Sequence, residues 1–302
     1  MISKNKIALD SLVIEVTRRC NMKPICSHCF RGNPENIDIN LKAVDNVLDQ
    51  VVELGDVKMT GGEPLLNISG IKYIFSGIKE RNIILTNFVI TTNGLIFSNE
   101  FVDLIKDISE YLTKWKDGKI FLFCSVDKYH NNNWGKDFIS NCKKEFECLD
   151  NVFVMEEFSG GNPIKVGNWK NLPESFPYEN CNECCTIEYY ERNHIPNCNE
   201  FDKSMQRSEY PIIICPVYLN AKGYLCNFRA ANNEYNVADT QSQAYICDMR
   251  KRNNILQRIK NYNVNKKCCR YFMFRQNTTE HNDTMLALGV LRNDKVLNMT
   301  DI

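Results

Sequence analysis

The sequence has no excess of charge of either sign, because 37 Lys and Arg residues are balanced by 37 Asp and Glu residues. Proteins that bind nucleic acids usually carry a basic excess or a basic stripe. The basic residues here are spread out, and short pairs such as Arg18-Arg19 are typical of a solvated surface. The composition therefore gives no strong signal for a nucleic-acid partner.

Long apolar runs are also lacking. The N-terminal segment, MISKNKIALDSLVIEV, has no apolar core of about 7–15 residues like that of a signal peptide. No stretch approaches the roughly 18 uninterrupted apolar residues that a membrane-spanning helix requires. These absences predict a cytoplasmic protein without a membrane partner.

Cysteine, in contrast, is abundant, with 15 residues in a chain of 302. Disulfides are rare in the reducing cytoplasm, so a cysteine-rich chain without export signals points to metal or cluster ligation. Inert buried thiols are the alternative, and we expect both kinds. Three cysteines fall within regular elements and are expected to be packed thiols, namely Cys124, Cys142 and Cys148.

Residues 1–160 alternate between strand-like and helix-like segments, which implies right-handed crossovers and a parallel sheet. The apolar spacing predicts helices over residues 41–54, 68–80, 100–112 and 138–148. Strands are predicted over residues 12–17, 57–60, 88–92, 120–126 and 152–156. From about residue 160 the pattern breaks, and only a strand over 212–219 and a helix over 255–262 follow.

Polar and glycine-rich segments lie at the ends of the first four predicted strands. A cysteine loop follows the first strand, residues 61–64 the second and residues 92–94 the third, and residues 125–127 end the fourth. Ligands bind at the carboxyl ends of the strands in parallel sheets and barrels. The four segments therefore predict an active site on one rim.

The cysteine loop places three thiols, Cys20, Cys26 and Cys29, within ten residues. Thiolates are the standard ligands of iron–sulfur clusters, and a [4Fe–4S] cluster normally takes four. Three ligands in one loop would leave one iron open to a small molecule. On spacing alone, zinc completed by His28 or by a distant cysteine, or a set of free thiols, are open alternatives.

The run VTRRCNMKPICSHCFRG resembles the cluster loop of the radical S-adenosylmethionine (SAM) superfamily, whose usual signature is C-x3-C-x2-C after the first barrel strand. MTGGEPLLN, residues 59–67, resembles the Gly-Gly-Glu motif of that family at the end of strand two. SVDKYH, residues 125–130, resembles the end of its fourth strand. The resemblance covers roughly residues 10–160. One departure is the first gap of the cysteine loop, which holds five residues where the common signature has three.

This resemblance implies an α/β fold, a partial (β/α)6 TIM-like barrel with a Cys-rich C-terminal extension. Residues 1–160 would form most of the barrel, and residues 161–302 its last strand or strands and the extension. Three irons would bind Cys20, Cys26 and Cys29, and SAM would bind the fourth. An external electron donor of the flavodoxin or ferredoxin type would reduce the cluster. SAM cleavage would then yield a 5′-deoxyadenosyl radical that abstracts hydrogen from a substrate.

Further residues are implied as SAM-binding. Gly61 and Gly62 would let the backbone approach the methionine moiety, because neither has a Cβ. Glu63 would accept a hydrogen bond from the ammonium group, and Pro64 would stiffen the turn. Taken alone, residues 61–64 are typical of an ordinary strand-to-helix turn, and Asn93-Gly94 is typical of a common turn. A histidine in such a loop is, taken alone, typical of a residue that faces solvent. The remaining candidates are His28, Asn93, Ser125 and Asp127.

The second half holds nine more cysteines. The spacing Cys215-x7-Gly223-x2-Cys226 resembles a shortened form of the SPASM or twitch-like extension, which carries an auxiliary cluster in many peptide-modifying radical SAM enzymes. The candidate second site comprises Cys215, Cys226, Cys247 and Cys268. It would hold an iron–sulfur cluster. Cys181-x2-Cys184, with Cys198 and Cys215, could instead form a tetrahedral zinc site, and unligated thiols are the further alternative.

An auxiliary cluster would favour a peptide or protein substrate. Only about eleven residues precede the first predicted strand, so a leader-peptide-binding module would have to be a separate chain. Within the same class, the alternatives are a small-molecule or nucleoside enzyme and an activase that installs a glycyl radical. The alternative of a different class is a non-catalytic zinc- or cluster-binding interaction protein.

Overall fold

A computed structural model of the protein describes most of the first 157 residues and parts of the remainder. The described residues are 6–23, 26, 29, 33–115, 118–126, 130, 132–157, 189–190, 210–214, 216–227 and 244–264. Within these ranges the chain forms one mixed sheet of ten strands and the helices that pack on it.

Five parallel strands in sequence order form the first half of the sheet. They are β1 (Ile7–Thr17), β2 (Val51–Gly61), β3 (Ile84–Thr92), β4 (Lys119–Ser125) and β5 (Val152–Glu157). The helices between them are α1 (Leu41–Leu48), α2 (Ile68–Glu80), α3 (Asn99–Leu112) and α4 (Asn132–Glu145). This alternation confirms the predicted α/β class.

The second half of the chain extends the sheet at the other edge, beside β1. Two short strands, β7 (Ile212–Ile213) and β8 (Val217–Leu219), run parallel to β1, and β6 (Tyr189–Tyr190) pairs with β7. An antiparallel hairpin then adds β9 (Tyr224–Asn227) and β10 (Tyr245–Asp248), and α5 (Ile255–Val264) follows. Because β5 and β10 lie at opposite ends, the sheet is open, as expected of a partial barrel.

The hydrophobic core lies between the helices and one face of the sheet. Ile14, Met59, Ile90 and Leu122 form a row of register partners across β1 to β4. All four are fully buried and belong to one cluster with residues of the helices, such as Phe75 of α2. The hydrophobic core therefore forms from the apolar residues that helices and strands each carry at their own periodicity.

The opposite face of the sheet carries the alternate residues, because successive side chains of a strand point to opposite sides. Its central row consists of Val13, Lys58, Val89, Phe121 and Phe153. None of these five belongs to the core cluster that contains the helices. We call this surface the helix-free face.

Side-chain caps fix where three helices begin. Asn40 accepts a hydrogen bond from Ala43 N at the start of α1, and Asn67 and Ser98 accept the equivalent bonds at α2 and α3. Such caps satisfy amides that have no partner inside the helix. No helix of the described ranges is long and apolar enough to cross a membrane.

Several predicted boundaries are wrong, and two of these errors change the division into elements. The helix expected over residues 41–54 ends at Leu48, and β2 already begins at Val51. Apolar residues at positions 47, 48, 51 and 52 fit both helical spacing and a strand buried on both faces, so periodicity does not separate the two. The strand expected over 212–219 is divided into β7 and β8.

Candidate active site

The base of the cysteine loop is closed by hydrogen bonds between the end of β1 and residues 35–38. Arg18 N donates to Ile37 O at 2.8 Å, and Glu35 N donates to Arg18 O at 3.1 Å. The Thr17 hydroxyl donates to the Asp38 carboxylate at 2.6 Å. Both ends of the loop are therefore fixed at the rim where the parallel strands end.

The two arginines before the first loop cysteine belong to this closure. The Arg19 guanidinium donates to both oxygens of Asp38, at 2.9 and 3.0 Å, and to Leu66 O at 2.9 Å. The Arg18 side chain is only 6% exposed and bonds to Glu15. The expectation of a solvated pair is wrong for Arg18, because its acidic partners bury it against the sheet.

Cys20, Cys26 and Cys29 are partly exposed thiols in this loop. Cys29 N donates to Cys26 O at 3.0 Å, so the last two thiols lie in one tight turn. Burial raises the pKa of the Cys20 thiol, and the nearby Glu63 carboxylate and Cys29 thiol raise it further. A bound metal cation would instead favour the thiolate, because its charge stabilises the anion.

The donor set of this loop suits a [4Fe–4S] cluster with one open iron, because it offers three thiols. Among the residues that the structure describes, no three His, Cys, Asp or Glu side chains are grouped closely enough to hold a single metal ion. Each thiolate on a cluster binds its own iron, so three such ligands do not converge on one point. Three thiols in one loop have the donor type and number that the implied cluster takes.

Gly61 and Gly62 lie against the backbone that leads into the cysteine loop. Gly62 N donates to Thr17 O at 2.9 Å. A Cβ on Gly61 would lie 2.4 Å from Thr17 O, and a Cβ on Gly62 would lie 2.3 Å from Arg19 O. The fold itself therefore requires both glycines, and their contact with SAM stays a prediction.

Glu63 ties the end of β2 to the end of β3. Its side chain is fully buried. Its Oε1 accepts hydrogen bonds from Leu65 N at 3.0 Å and from the Thr92 hydroxyl at 2.8 Å, and its Oε2 accepts from Asn93 N at 2.7 Å. These three donors hold the carboxylate in one orientation next to the cysteine loop.

The charge of Glu63 has no lysine or arginine partner within the described ranges. Burial raises the pKa of this carboxyl to about 7, although its hydrogen bonds and the nearby His130 oppose the rise. A buried carboxyl holds its proton more tightly until a cation compensates its charge. An ammonium group placed here would be such a cation.

Asn93 connects the end of β3 to the cysteine loop. Its side-chain amide donates to Asn21 Oδ1 at 2.8 Å, and its Oδ1 accepts from Leu95 N at 3.0 Å. The turn considered as its alternative role is also present, since Gly94 has a φ of 77°. Asn93 therefore shapes the turn and contacts the loop at the same time.

Sequence reasoning assigned no role to His130, although the segment 125–130 was placed at the rim. His130 Nε2 lies 3.7 Å from Cys26 Sγ, so the chain after β4 reaches the cysteine loop. The available signal was its position five residues beyond the end of β4, on the rim that holds the other candidates.

The other predicted cofactor contacts have different placements. Pro64 is buried at the first position of a 3-10 helix, Pro64–Asn67, directly after the turn. Ser125 is partly buried at the carboxyl end of β4 and lies on the helix-free face. Two candidates lie outside the described residues, namely His28 and Asp127.

The candidate second site is only partly described. Cys247 of β10 belongs to the hydrophobic core, its thiol contacts Met249 Sδ at 3.4 Å, and burial raises its pKa to about 12. Cys226 of β9 is also buried but lies outside that cluster. Two further members lie outside the described residues, namely Cys215 and Cys268.

The three cysteines expected to be packed thiols behave differently from one another. Cys124 of β4 and Cys142 of α4 are fully buried, as predicted. Cys148 is exposed, so the expectation is wrong for this residue. The reason is that α4 ends at Glu145, before the predicted boundary.

A model of the Radical SAM superfamily matches residues 14–115. The match begins within β1 and includes the cysteine loop, the Gly-Gly-Glu turn and the asparagine turn after β3. The matched residues make up about a third of the chain, and over them the chain is similar to the radical SAM superfamily.

Three sequence relatives are similar to part of this chain. An uncharacterized protein of Methanocaldococcus jannaschii is 25% identical over 239 residues, which cover 72% of this chain and 78% of the relative. The GTP 3′,8-cyclase of Clostridium acetobutylicum is 31% identical over 192 residues, 59% of this chain and 57% of the cyclase. The radical SAM cyclopropyl synthase TigE of Paramaledivibacter caminithermalis is 24% identical over 166 residues, 47% of this chain and 33% of the synthase.

Among solved structures, native anSMEcpe with bound AdoMet and Cp18Cys peptide aligns with a TM-score of 0.48 and 14% identity. That alignment covers 85% of this chain and 81% of the other. A histidine-tagged form of anSMEcpe with bound AdoMet aligns with a TM-score of 0.45 and 14% identity, over 85% and 82% of the two chains.

Proposed function

We propose that this enzyme binds a [4Fe–4S] cluster through Cys20, Cys26 and Cys29 and cleaves SAM reductively. When bound, the cluster supplies the electron that divides SAM into methionine and a 5′-deoxyadenosyl radical, which removes hydrogen from a substrate. The observation that carries this proposal is the pair of hydrogen bonds from Gly62 N and Glu63 N to the backbone just before the cysteine loop. A reduced flavodoxin or ferredoxin is the proposed electron donor.

In this proposal Glu63 holds the ammonium group of SAM. Two backbone amides and one hydroxyl orient its carboxylate, and these neutral donors leave the negative charge uncompensated. A charge-assisted hydrogen bond from an ammonium group would stabilise the ionised carboxylate in this buried position. Ammonium binding would also place SAM beside the loop, because the Glu63 amide bonds to Arg19 O.

The remaining proposed contacts to SAM surround this point on the rim. Gly61, Gly62 and Asn93 lie within the same hydrogen-bonded unit as Glu63. Ser125 is the last residue of β4, where a side chain can reach the carboxylate or ribose of a bound ligand. On sequence grounds Asp127 is proposed for the same role as Ser125, and His28 is proposed to pack beside the adenine of SAM.

An auxiliary iron–sulfur cluster or zinc site in the second half is also proposed, with Cys215 and Cys226 as its first ligands. Its support is the hairpin of β8 and β9, whose turn contains Gly223 with a φ of 89°. Cys226 is buried three residues after this glycine. In the proposed site this position in the hairpin provides the cysteine that binds the cluster or zinc. Such a site would favour a peptide or protein substrate.

Anaerobic reconstitution tests the main proposal. We expect brown protein with about four irons at the first site and 5′-deoxyadenosine release that requires a reductant. Changing Cys20, Cys26 and Cys29 together to Ala should abolish that release, whereas Cys148→Ala, a change at an exposed cysteine, should not. Colourless zinc-containing protein without 5′-deoxyadenosine would contradict the proposal and favour a non-catalytic binding protein.

Iron that persists in the triple variant would support an auxiliary cluster. Further replacement of Cys226 by Ser should then remove that iron. Iron retained in the fourfold variant would contradict the assignment of Cys226 as a ligand.

A nucleotide substrate is the second candidate. The observation that favours it is the 31% identity to GTP 3′,8-cyclase. Deuterium transfer from labelled GTP to 5′-deoxyadenosine would support this candidate, since the hydrogen removed from the substrate ends on the C5′ carbon.

A further inference from the structure

The turn between β8 and β9, residues 220–223, lies against β1 and the segment that returns from the cysteine loop. Ala221 N donates to Glu15 Oε2 at 2.9 Å, and Ala221 O accepts from Asn40 N at 3.0 Å. Gly223 is equally close, since a Cβ on it would meet Ala43 Cβ at 3.0 Å. Residues 206 positions apart in the sequence are therefore in direct contact next to the first site.

Glu15 connects this turn to the residue two positions before Cys20. Its Oε2 accepts from Ala221 N and also from Arg18 Nε at 3.0 Å, so one carboxylate oxygen holds both donors. Glu15 is 1% exposed and Arg18 is 6% exposed. Hydrogen bonds between ionised groups are shorter and stronger than those between neutral groups. The position of the turn therefore determines where the Arg18 side chain lies.

Arg18 transmits this constraint to both ends of the cysteine loop. Its amide donates to Ile37 O at 2.8 Å, and its carbonyl oxygen accepts from Glu35 N at 3.1 Å. Its Nη1 also donates to the Glu35 carboxylate at 2.5 Å. Only Arg19 separates Arg18 from Cys20. A displaced Arg18 would therefore move the first cysteine and the segment that closes the loop together.

A second contact joins the same turn to the loop, and it is weaker. Lys222 Nζ lies 3.7 Å from Glu35 Oε2, and both side chains are 41% exposed. Exposed pairs contribute little, whereas the pair of Glu15 and Arg18 is buried. Apolar residues of the same size often stabilise a fold as well as a buried ion pair does. What they lack is the fixed orientation that the ion pair gives to Arg18.

We propose that Glu15 is a positioning residue for the cysteine loop and that the β8–β9 turn acts through it. The Ala221 amide holds the carboxylate, the carboxylate holds Arg18, and Arg18 holds the start of the loop where cluster binding requires it. The second half of the chain contributes to the first site through this contact. The inference rests on the proposed function, because it concerns the loop that would bind the cluster.

Hydrogen–deuterium exchange of the full-length, cofactor-free protein tests the contact itself. The readouts are the exchange rates of the Arg18 and Glu35 amides, measured by mass spectrometry. Glu15→Ala should raise both rates roughly tenfold, because the loop base opens more easily. Glu15→Gln keeps an oxygen that can accept from both donors, so it should raise them at most about twofold. Unchanged rates in Glu15→Ala would overturn the inference.

Stability measurements separate orientation from a general structural role. Glu15→Gln should still lower the free energy of unfolding in urea, because the buried guanidinium loses part of its compensating charge. Tyr111→Phe is the matched control, since it removes a buried hydrogen bond to Ile83 O, just before β3 begins and at the opposite end of the sheet. It should lower stability and leave the two amide rates unchanged. Amide rates that follow stability in all variants would overturn the positioning role.

Gly223→Ala tests whether the turn acts through Glu15. The substitution strains the turn, because Gly223 has a φ of 89° and its Cβ would meet Arg250 Cγ at 2.8 Å. Alone it should raise both amide rates roughly threefold, and in the Glu15→Ala background it should raise them no further. A full additional increase in that background would overturn the route through Glu15.

The reconstituted enzyme provides a second readout, at the cluster. Electron paramagnetic resonance of the reduced protein measures the g values of the first cluster and their shift when SAM is added. Glu15→Ala should change the g values and reduce the shift, whereas Glu15→Gln and Tyr111→Phe should match the wild type. Identical spectra in all four proteins would overturn the positioning role. If the wild type itself binds no cluster, the proposed function is overturned, and the amide rates still decide whether the turn orients the loop.

Discussion

The main-chain amide of Glu63 donates a hydrogen bond of 2.8 Å to the carbonyl oxygen of Arg19, the residue immediately before Cys20. One backbone contact thus joins the Gly-Gly-Glu turn to the first cysteine of the loop. The carboxylate of the same glutamate bonds to Thr92 and Asn93 at the end of β3. The ends of β1, β2 and β3 are therefore held as one unit, and a substitution in one of them should alter the positions of the others.

Gly62→Ala should weaken this unit. Its Cβ would meet Arg19 O at 2.3 Å, so the backbone before the cysteine loop must move. We expect a loss of about 1–3 kcal/mol in the free energy of unfolding and lower iron content after reconstitution. Urea denaturation and iron analysis measure the two effects. Gly77→Ala is the control, because it is helical and its Cβ would meet only side-chain atoms, at 2.9 Å or more, so it should destabilise the protein less than Gly62→Ala.

The buried carboxyl of Glu63 should make stability depend on pH. Its pKa is raised from 4.5 to about 7, so between these values the folded protein holds a proton that the unfolded chain releases. Stability of the cofactor-free protein should therefore fall as pH rises through this window, by about 3 kcal/mol. Urea denaturation at pH 5 and pH 7.5 measures this fall.

Glu63→Gln should remove most of that fall, because an amide does not titrate. Glu100→Gln, a change in an exposed ion pair with Lys72, should retain it. An equal pH dependence in the wild type and in Glu63→Gln would show that other groups cause it.

His130 should influence the proposed cluster through Cys26. Nε2 lies 3.7 Å from the sulfur, and hydrogen bonds to cluster ligands raise the reduction potential. His130→Phe should therefore lower the midpoint potential, measured by redox titration with electron paramagnetic resonance. His130→Asn retains a donor and should lower it less. Identical potentials in the three proteins would exclude this contact in the loaded enzyme.

Removing the Arg18 side chain should destabilise the protein, since Glu15 is only 1% exposed and would lose its cation. Arg18→Met should cost about 3–5 kcal/mol in urea denaturation, and the added change Glu15→Gln should recover part of the loss. The matched control is Lys106→Met, which breaks an exposed pair with Glu145 and should cost at most about 1 kcal/mol. A similar loss in both single variants would contradict the buried pair.

The boundary between α1 and β2 shows where local pattern stops being informative. The limits of α2 agree with its apolar spacing, because a cap at Asn67 marks its start. Val51 and Val52 instead continue the apolar spacing of α1, yet they belong to β2. Whether these residues form a helix or a strand depends on their pairing with β1, whose residues lie more than forty positions away in the sequence.

The order of the motifs along the chain, and their position after successive strands, could be predicted because each is a local feature of a few residues. The sequence alone therefore determined the family resemblance, the α/β class and the choice of Cys20, Cys26, Cys29 and the turn at Gly61. Tertiary structure decided what these segments touch. Contacts of Glu63 with Arg19 and Asn93, and of His130 with Cys26, join residues 30 to 104 positions apart. Such contacts follow from how strands align in the sheet, and no local pattern encodes that alignment.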